Sequence, residues 1–126
     1  MGQPAAKQGD QVVALDTHVV VIGLVPTPVP HPFAGVVTGA LSADVRVMGR
    51  PAATIGSTAD NTPPHVPLGG PFVKPPHDSG VVVTGSATVR VNGKPLARNG
   101  DVATTCNDPV DLPVGRVVAA CTVLAG

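Results

Sequence analysis

Hydrophobic and polar positions along this chain are dominated by valine in short runs, cut at short intervals by glycine or proline. Gln11 to Ile22 is Val-rich and free of Pro and Gly, and reads as a strand carrying Asp16 and His18. Gly35 to Gly39 and Gly80 to Gly85 are short apolar runs bounded by glycine. Asp44 to Gly49 and Thr88 to Gly93 alternate with period two and end on turn residues; Asn92-Gly93 is a strong hairpin signal. Arg116 to Gly126 is a last apolar stretch. Between these runs lie two long Pro/Gly-rich excursions. Gly23 to Pro32 carries four prolines, which remove backbone donors, so it is expected outside the sheet as a polyproline-like loop holding His31. Asp60 to Asp78 is the second excursion and holds His65 and His77. A shorter third one holds Cys106.

The pattern repeats. Residues 2–10 (GQPAAKQGD), 49–57 (GRPAATIGS) and 93–101 (GKPLARNGD) all fit Gly-x-Pro-x-Ala-x-x-Gly-[Asp/Ser]. Each full unit runs strand, glycine turn, repeat copy, excursion. The first copy lacks a preceding strand and residues 116–126 lack a following copy, so pairing the two ends completes a third unit and closes a ring without exposed edges. The expected fold is all-β: a small pseudo-threefold cone of three β-hairpin repeats, closed by the N- and C-terminal strands, with Pro/Gly-rich loops at the tip. Residues 1–126 are expected to form a single domain. Asp10, Ser57 and Asp101, each following a glycine, are expected to cap turns.

Composition narrows the chemistry. Eight Lys+Arg balance eight Asp+Glu, which gives no support for nucleic-acid binding or electrostatic docking on membranes. All the acids are Asp, so there is no Glu to act as a general base, and two Phe are the only aromatics. No apolar run is long enough to cross a bilayer as a helix, and no signal peptide is evident. Cys106 and Cys121 are therefore expected to stay reduced, with Cys121 a small buried apolar residue.

The repeat also aligns the histidines. His18 lies eight residues after Asp10, and His65 eight after Ser57. His31 lies eight before Gly39, and His77 eight before Gly85. In the third unit Cys106 stands near the outgoing position and Asp111 at the returning one. Imidazole and thiolate donors converging near the threefold axis suit a tetrahedral Zn²⁺. The candidate metal ligands are His65, His77 and Cys106, with His18 or His31 as the fourth.

The three copies and the hairpin Thr84 to Lys94 resemble the proline–alanine–alanine–arginine (PAAR) repeat family over essentially the whole chain. That resemblance implies a cone of β-hairpins with a structural zinc near its tip, commonly held by three His and one Cys. It implies a structural, non-enzymatic spike-tip protein. Such a protein caps and sharpens the trimeric valine–glycine repeat spike of a type VI secretion system, or of a phage-like contractile injection relative. It would aid membrane puncture and delivery of effector or toxin proteins, with assembly in the bacterial cytoplasm followed by ejection. The alternatives are a small zinc-dependent hydrolase, with an Asp such as Asp78 or Asp111 as base, and a metal-free β-repeat binding module.

Overall fold

The computed structural model describes residues 2–126. Its strands in chain order are β1 (Gln3–Pro4), β2 (Gln11–Ile22), β3 (Val25–Gly39), β4 (Arg46–Val47), β5 (Arg50–Pro51), β6 (Thr58–Asn61), β7 (Ser79–Val82), β8 (Arg90–Val91), β9 (Lys94–Pro95), β10 (Val102–Thr105), β11 (Leu112–Val118) and β12 (Leu124–Ala125). The described residues contain no helix, as expected where Pro and Gly interrupt every window and valine fills the rest. Six strands close a barrel in the order β10-β11-β2-β3-β6-β7. Three two-stranded ribbons, β1-β12, β4-β5 and β8-β9, complete the fold.

The ends pair as the repeat requires, with Gln3 opposite Ala125 and Pro4 opposite Leu124. The other two ribbons turn at Met48-Gly49 and Asn92-Gly93, where both residues of each pair have positive φ. That is the conformation of a tight two-residue hairpin turn, and Gly and Asn adopt it at little cost.

The repeat copies themselves form a ring. The Ala6 N–H donates to Ala97 O at 2.8 Å, Ala97 to Ala53 O at 2.9 Å, and Ala53 to Ala6 O at 3.0 Å. A second ring runs from Gln8 to Pro51 O, from Ile55 to Pro95 O and from Asn99 to Pro4 O. The alanines are wholly buried, because the three backbones approach too closely for a larger side chain. Each copy then ends in the same turn. Asp10 Oδ2 accepts from Lys7 N, Ser57 Oγ from Thr54 N, and Asp101 Oδ2 from Arg98 N, with Gly9, Gly56 and Gly100 at positive φ. Where the cap is Asp, the residue three before it is a cation, giving the ion pairs Lys7–Asp10 and Arg98–Asp101; where it is Ser, that residue is Thr54. A shielded carboxylate calls for a cation beside it, whereas the neutral Ser57 hydroxyl is satisfied by Thr54 N and Ala40 O, so the departure at Ser57 travels with the departure at Thr54.

Each turn hands the chain to the barrel. Val12, Ala59 and Ala103 sit opposite Val117, Val37 and Val82 respectively, and all of them point inward. Two residues before each of those partner valines stands a glycine: Gly115, Gly35 and Gly80. A Cβ on Gly35 would lie 2.7 Å from Phe33, and one on Gly80 3.4 Å from the same ring. Gly35 and Gly80 clear the volume that Phe33 fills in the main core, while a Cβ on Gly115 would meet Ala103 O, Thr105 and Val12.

One expectation is overturned. Gly23 to Pro32 is no loop: β2 and β3 form one long hairpin, in register from Gln11–Val36 to Ile22–Val25 and turning at Gly23-Leu24. Prolines 26, 28, 30 and 32 are tolerated because of their parity. They face Val21, Val19, Thr17 and Leu15, and the N–H groups of Val21, Val19 and Thr17 point away from β3 to other acceptors. These are therefore the non-hydrogen-bonded pairs of the ladder, where the partner's N–H is not used. Above Ala34 the outer side of β3 is a sheet edge, where proline belongs.

Candidate metal centre

Parity also builds the site. On β2 the even residues Val12, Asp16, His18 and Val20 are buried, and on β3 the odd residues His31, Phe33 and Val37 are buried. Asp16, His18 and His31 therefore project into the interior above Phe33. The second excursion leaves β6 and brings in His65, whose N–H is held by Asp78 Oδ1 at 2.8 Å. The third leaves β10 and brings in Cys106. Its next residues seal the top edge of β2: Asn107 Oδ1 accepts from Thr17 N, and Asp108 Oδ2 from Val19 N.

Asp16, His18, His65 and Cys106 converge, each offering a ligand atom within 4.8 Å of the others. Asp16 is the hub. Its Oδ2 lies 3.0 Å from His65 Nε2 and accepts from Cys106 Sγ at 3.5 Å, while its Oδ1 accepts from Thr105 Oγ1 and Asn107 Nδ2. The side chains of Asp16, His18, His65 and Cys106 are almost entirely shielded from solvent.

His18 is the telling member. Both of its ring nitrogens are buried without a hydrogen-bond partner; the nearest carboxylate oxygen, Asp108 Oδ2, is 3.6 Å from Nδ1. Native interiors rarely leave such groups unsatisfied. Desolvation, aided by the neighbouring His65, holds its pKa below the usual histidine value. Burial, with Asp16 beside it, pushes the Cys106 thiol up to about 12. A neutral imidazole with an unpartnered lone pair and a thiol whose ionisation a neighbouring cation would favour are donors that suit a metal ion. The residues present fit a metal.

The other two candidate histidines lie outside this group of four. His31 packs edge-on to His18 and His65, with ring centroids at 5.5 and 5.8 Å. Both its nitrogens are engaged: Nδ1 donates to Val29 O at 2.8 Å, and Nε2 accepts from Leu68 N at 3.3 Å. His77 sits half-exposed on the surface and faces Asp111 at 2.8 Å. The equivalence of His31 and His77 fails by one residue. Barrel register makes Val82 the counterpart of Val37, so His77 falls in the place of exposed Pro32 and Pro76 in the place of His31. A slip of one residue turns a side chain to the opposite face. The equivalence of His18 and His65 holds, and their rings lie 4.8 Å apart. Asp16 did not figure among the candidate ligands. Its signal was present, since it shares the parity of Val12, His18 and Val20, and a carboxyl on a buried face needs partners. Cys106 and Cys121 are both free thiols, and Cys121 is partly rather than fully buried, packed against the core of the ribbons.

A closed β structure with threefold internal repetition and a buried cluster that could hold a metal ion defines the class. Residues 74–124 match the family model of the PAAR motif, which supports membership of that family. The matched stretch holds the third repeat copy, its hairpin and Cys106. No curated protein matches the chain.

Proposed function

We propose that this protein is the structural tip of the spike of a contractile injection machine, seated on a trimeric valine–glycine repeat protein and stabilised by zinc. The observation that carries the reading is the pair of cyclic hydrogen-bond rings joining residues 2–10, 49–57 and 93–101. They give one chain a threefold base, the symmetry a single cap needs to contact three identical subunits alike. The ribbons β1-β12, β4-β5 and β8-β9 surround that base, and the barrel and excursions form the opposite end. Assembly in the cytoplasm, ejection with effector or toxin cargo and passage through a target membrane belong to the same reading.

Zinc would be held by His18, His65 and Cys106, with Asp16 as the fourth donor. The ion supplies a cross-link: it ties β2, the second excursion and the end of β10 to one another. Four protein donors shielded from solvent favour a closed structural site over a catalytic one, which keeps a position for water. His31 and His77 complete the set of residues to be tested. The resemblance implies three His and one Cys, and a set of two His, one Asp and one Cys departs from that by Asp16 for His31.

The test is co-purification with a candidate spike trimer, with metal quantified in the same sample. One chain per trimer and one zinc per chain are expected. A chain that never associates with any spike trimer of its own genome overturns the cap, and a zinc-free preparation that stays folded overturns the structural metal. The outer-shell imidazole scattering in an X-ray absorption spectrum of the zinc form tests the donor set: two imidazoles support Asp16 as the fourth donor, and three would exchange it for His31.

A further inference from the structure

The barrel pairs β11 with β2 only over residues 11–13 and β6 with β3 only over 35–39, yet the β2–β3 hairpin continues to Ile22 and Val25. The four residues from His18 to Ile22 carry it on the order of 13 Å past the metal cluster, at about 3.3 Å per residue. Its end is apolar and exposed: Leu24 is 95% accessible, Val25 59% and Ile22 41%. No Asp, Glu, Lys or Arg occurs in residues 17–43, nor in residues 61–73, which pack beside the hairpin. Lys74 follows at the level of Val19, where Val73 N–H meets Val19 O.

The backbone is treated in the same way. On one edge, prolines 26, 28 and 30 remove the outward N–H groups. On the other, the outward N–H groups of Thr17, Val19 and Val21 are satisfied by Asn107, Asp108 and Pro71. An edge that had only to avoid pairing with other strands could use lysine, which stays wet. Proline removes the donor without adding a charge. Uncapped donors and charges are what hydrocarbon penalises most, and an edge without donors is also a poor template for a protein strand.

We propose that the end of the β2–β3 hairpin is a lipid-inserting element, which enters the acyl chains of one leaflet while Lys74 meets the headgroups. Its reach past the metal cluster is about that of one leaflet, half of a roughly 30 Å hydrocarbon core. The inference deepens the spike-tip reading and depends on it only for which end leads.

The full-length zinc-loaded chain contains no Trp, so Leu24→Trp provides a single reporter, with Arg90→Trp on the ribbon β8-β9 as control. The probe is vesicles of phosphatidylethanolamine with a minor fraction of phosphatidylglycerol, with and without brominated acyl chains. The expected result is a blue shift and loss of emission in brominated vesicles for Leu24→Trp and no change for Arg90→Trp. Leu24→Asp with Val25→Asp should weaken vesicle flotation by roughly tenfold or more. Both sites are exposed, so folding is spared. Unchanged Leu24→Trp emission in vesicles overturns the proposal, as does flotation of the double Asp variant at the parent's level or binding that disappears with added salt. A shift seen only with a protein fraction overturns it too and points to a protein groove. Spike co-purification by the double Asp variant separates the two readings: retained binding leaves the cap standing whatever the vesicles show.

Discussion

Replacing His18 with Leu should change stability with opposite signs in the metal-free and metal-loaded protein. In the stripped protein the imidazole is buried with both nitrogens unpartnered. Each such group costs roughly 1–3 kcal/mol relative to an apolar replacement of similar size. The depressed pKa means that the ring is neutral at pH 7, so no ion pair with Asp108 is lost in the exchange. Leucine has a similar volume and would pack against Phe72, whose ring centroid lies 5.7 Å from that of His18. Stripped His18→Leu should therefore be more stable than stripped parent by about 1–3 kcal/mol, a rise of several degrees in melting temperature. In the loaded state the order reverses. A structural zinc contributes on the order of 10 kcal/mol or more, and losing one of four donors removes most of it. The assay is urea unfolding in chelator and in excess zinc, with metal content measured in each sample. Two results refute the reasoning: a His18→Leu that loses stability in chelator like an ordinary core substitution, or a parent whose unfolding curve ignores verified metal removal.

Two further predictions concern the frame that holds the site. Ser57→Asp buries a carboxylate whose neighbour three residues back is Thr54, and should cost several kcal/mol; adding Thr54→Arg rebuilds the pairing seen at Arg98–Asp101 and should recover most of the loss in a denaturant double-mutant cycle. Gly35→Ala puts a Cβ 2.7 Å from Phe33 and 3.0 Å from Ala59, and should cost about 1–3 kcal/mol. Phe33→Leu in the same chain should relieve part of that cost, and additive costs would show that Gly35 does not serve Phe33.

The fold was legible in the chain because its information is local and stated three times. The Gly-x-Pro-x-Ala-x-x-Gly-[Asp/Ser] copies specify a turn, a cap and a close approach at Ala6, Ala53 and Ala97. The two unpaired ends specify closure, which β1 and β12 perform. The site was legible where it inherits that repetition, at His18, His65 and Cys106. It was not legible where it depends on strand parity. Counting back from Gly39 and Gly85 made His77 equal to His31, but one strand passes its glycine with one residue more than the other, and one residue reverses the face. The prolines misled for a related reason. Their number argued against a strand, while their spacing of two put every one of them on the edge that has no partner. Asp16 was hidden because a lone acid in an apolar run invites no assignment until the residues two and four positions away are known to face the same interior.

The structure also explains why a symmetric base carries an asymmetric top. The repeat copies are joined by backbone hydrogen bonds that nearly any sequence could make, and these hold three like units together. Four side-chain donors cannot be shared equally among three units, so the excursions that bring Asp16, His18, His65 and Cys106 together diverge. Here one becomes the long β2–β3 hairpin, contributing Asp16 and His18; one becomes the proline-rich loop that brings His65; and one shortens to bring Cys106. Divergence at this end costs the base nothing, because each excursion leaves through the same capped turn, at Asp10, Ser57 or Asp101. It also concentrates the stabilisation where the frame is thinnest. The barrel pairing ends at Val13 and Gly35, and the hairpin above it has only its own ladder, the segments sealing β2, and the cluster at its root. A metal joining three chain segments there would convert a two-stranded hairpin, marginal on its own in water, into an extension of the barrel. On the spike-tip reading, load applied at Leu24 would then pass through β2 and β3 into the interior that the metal cross-links, and would not be taken by a loop.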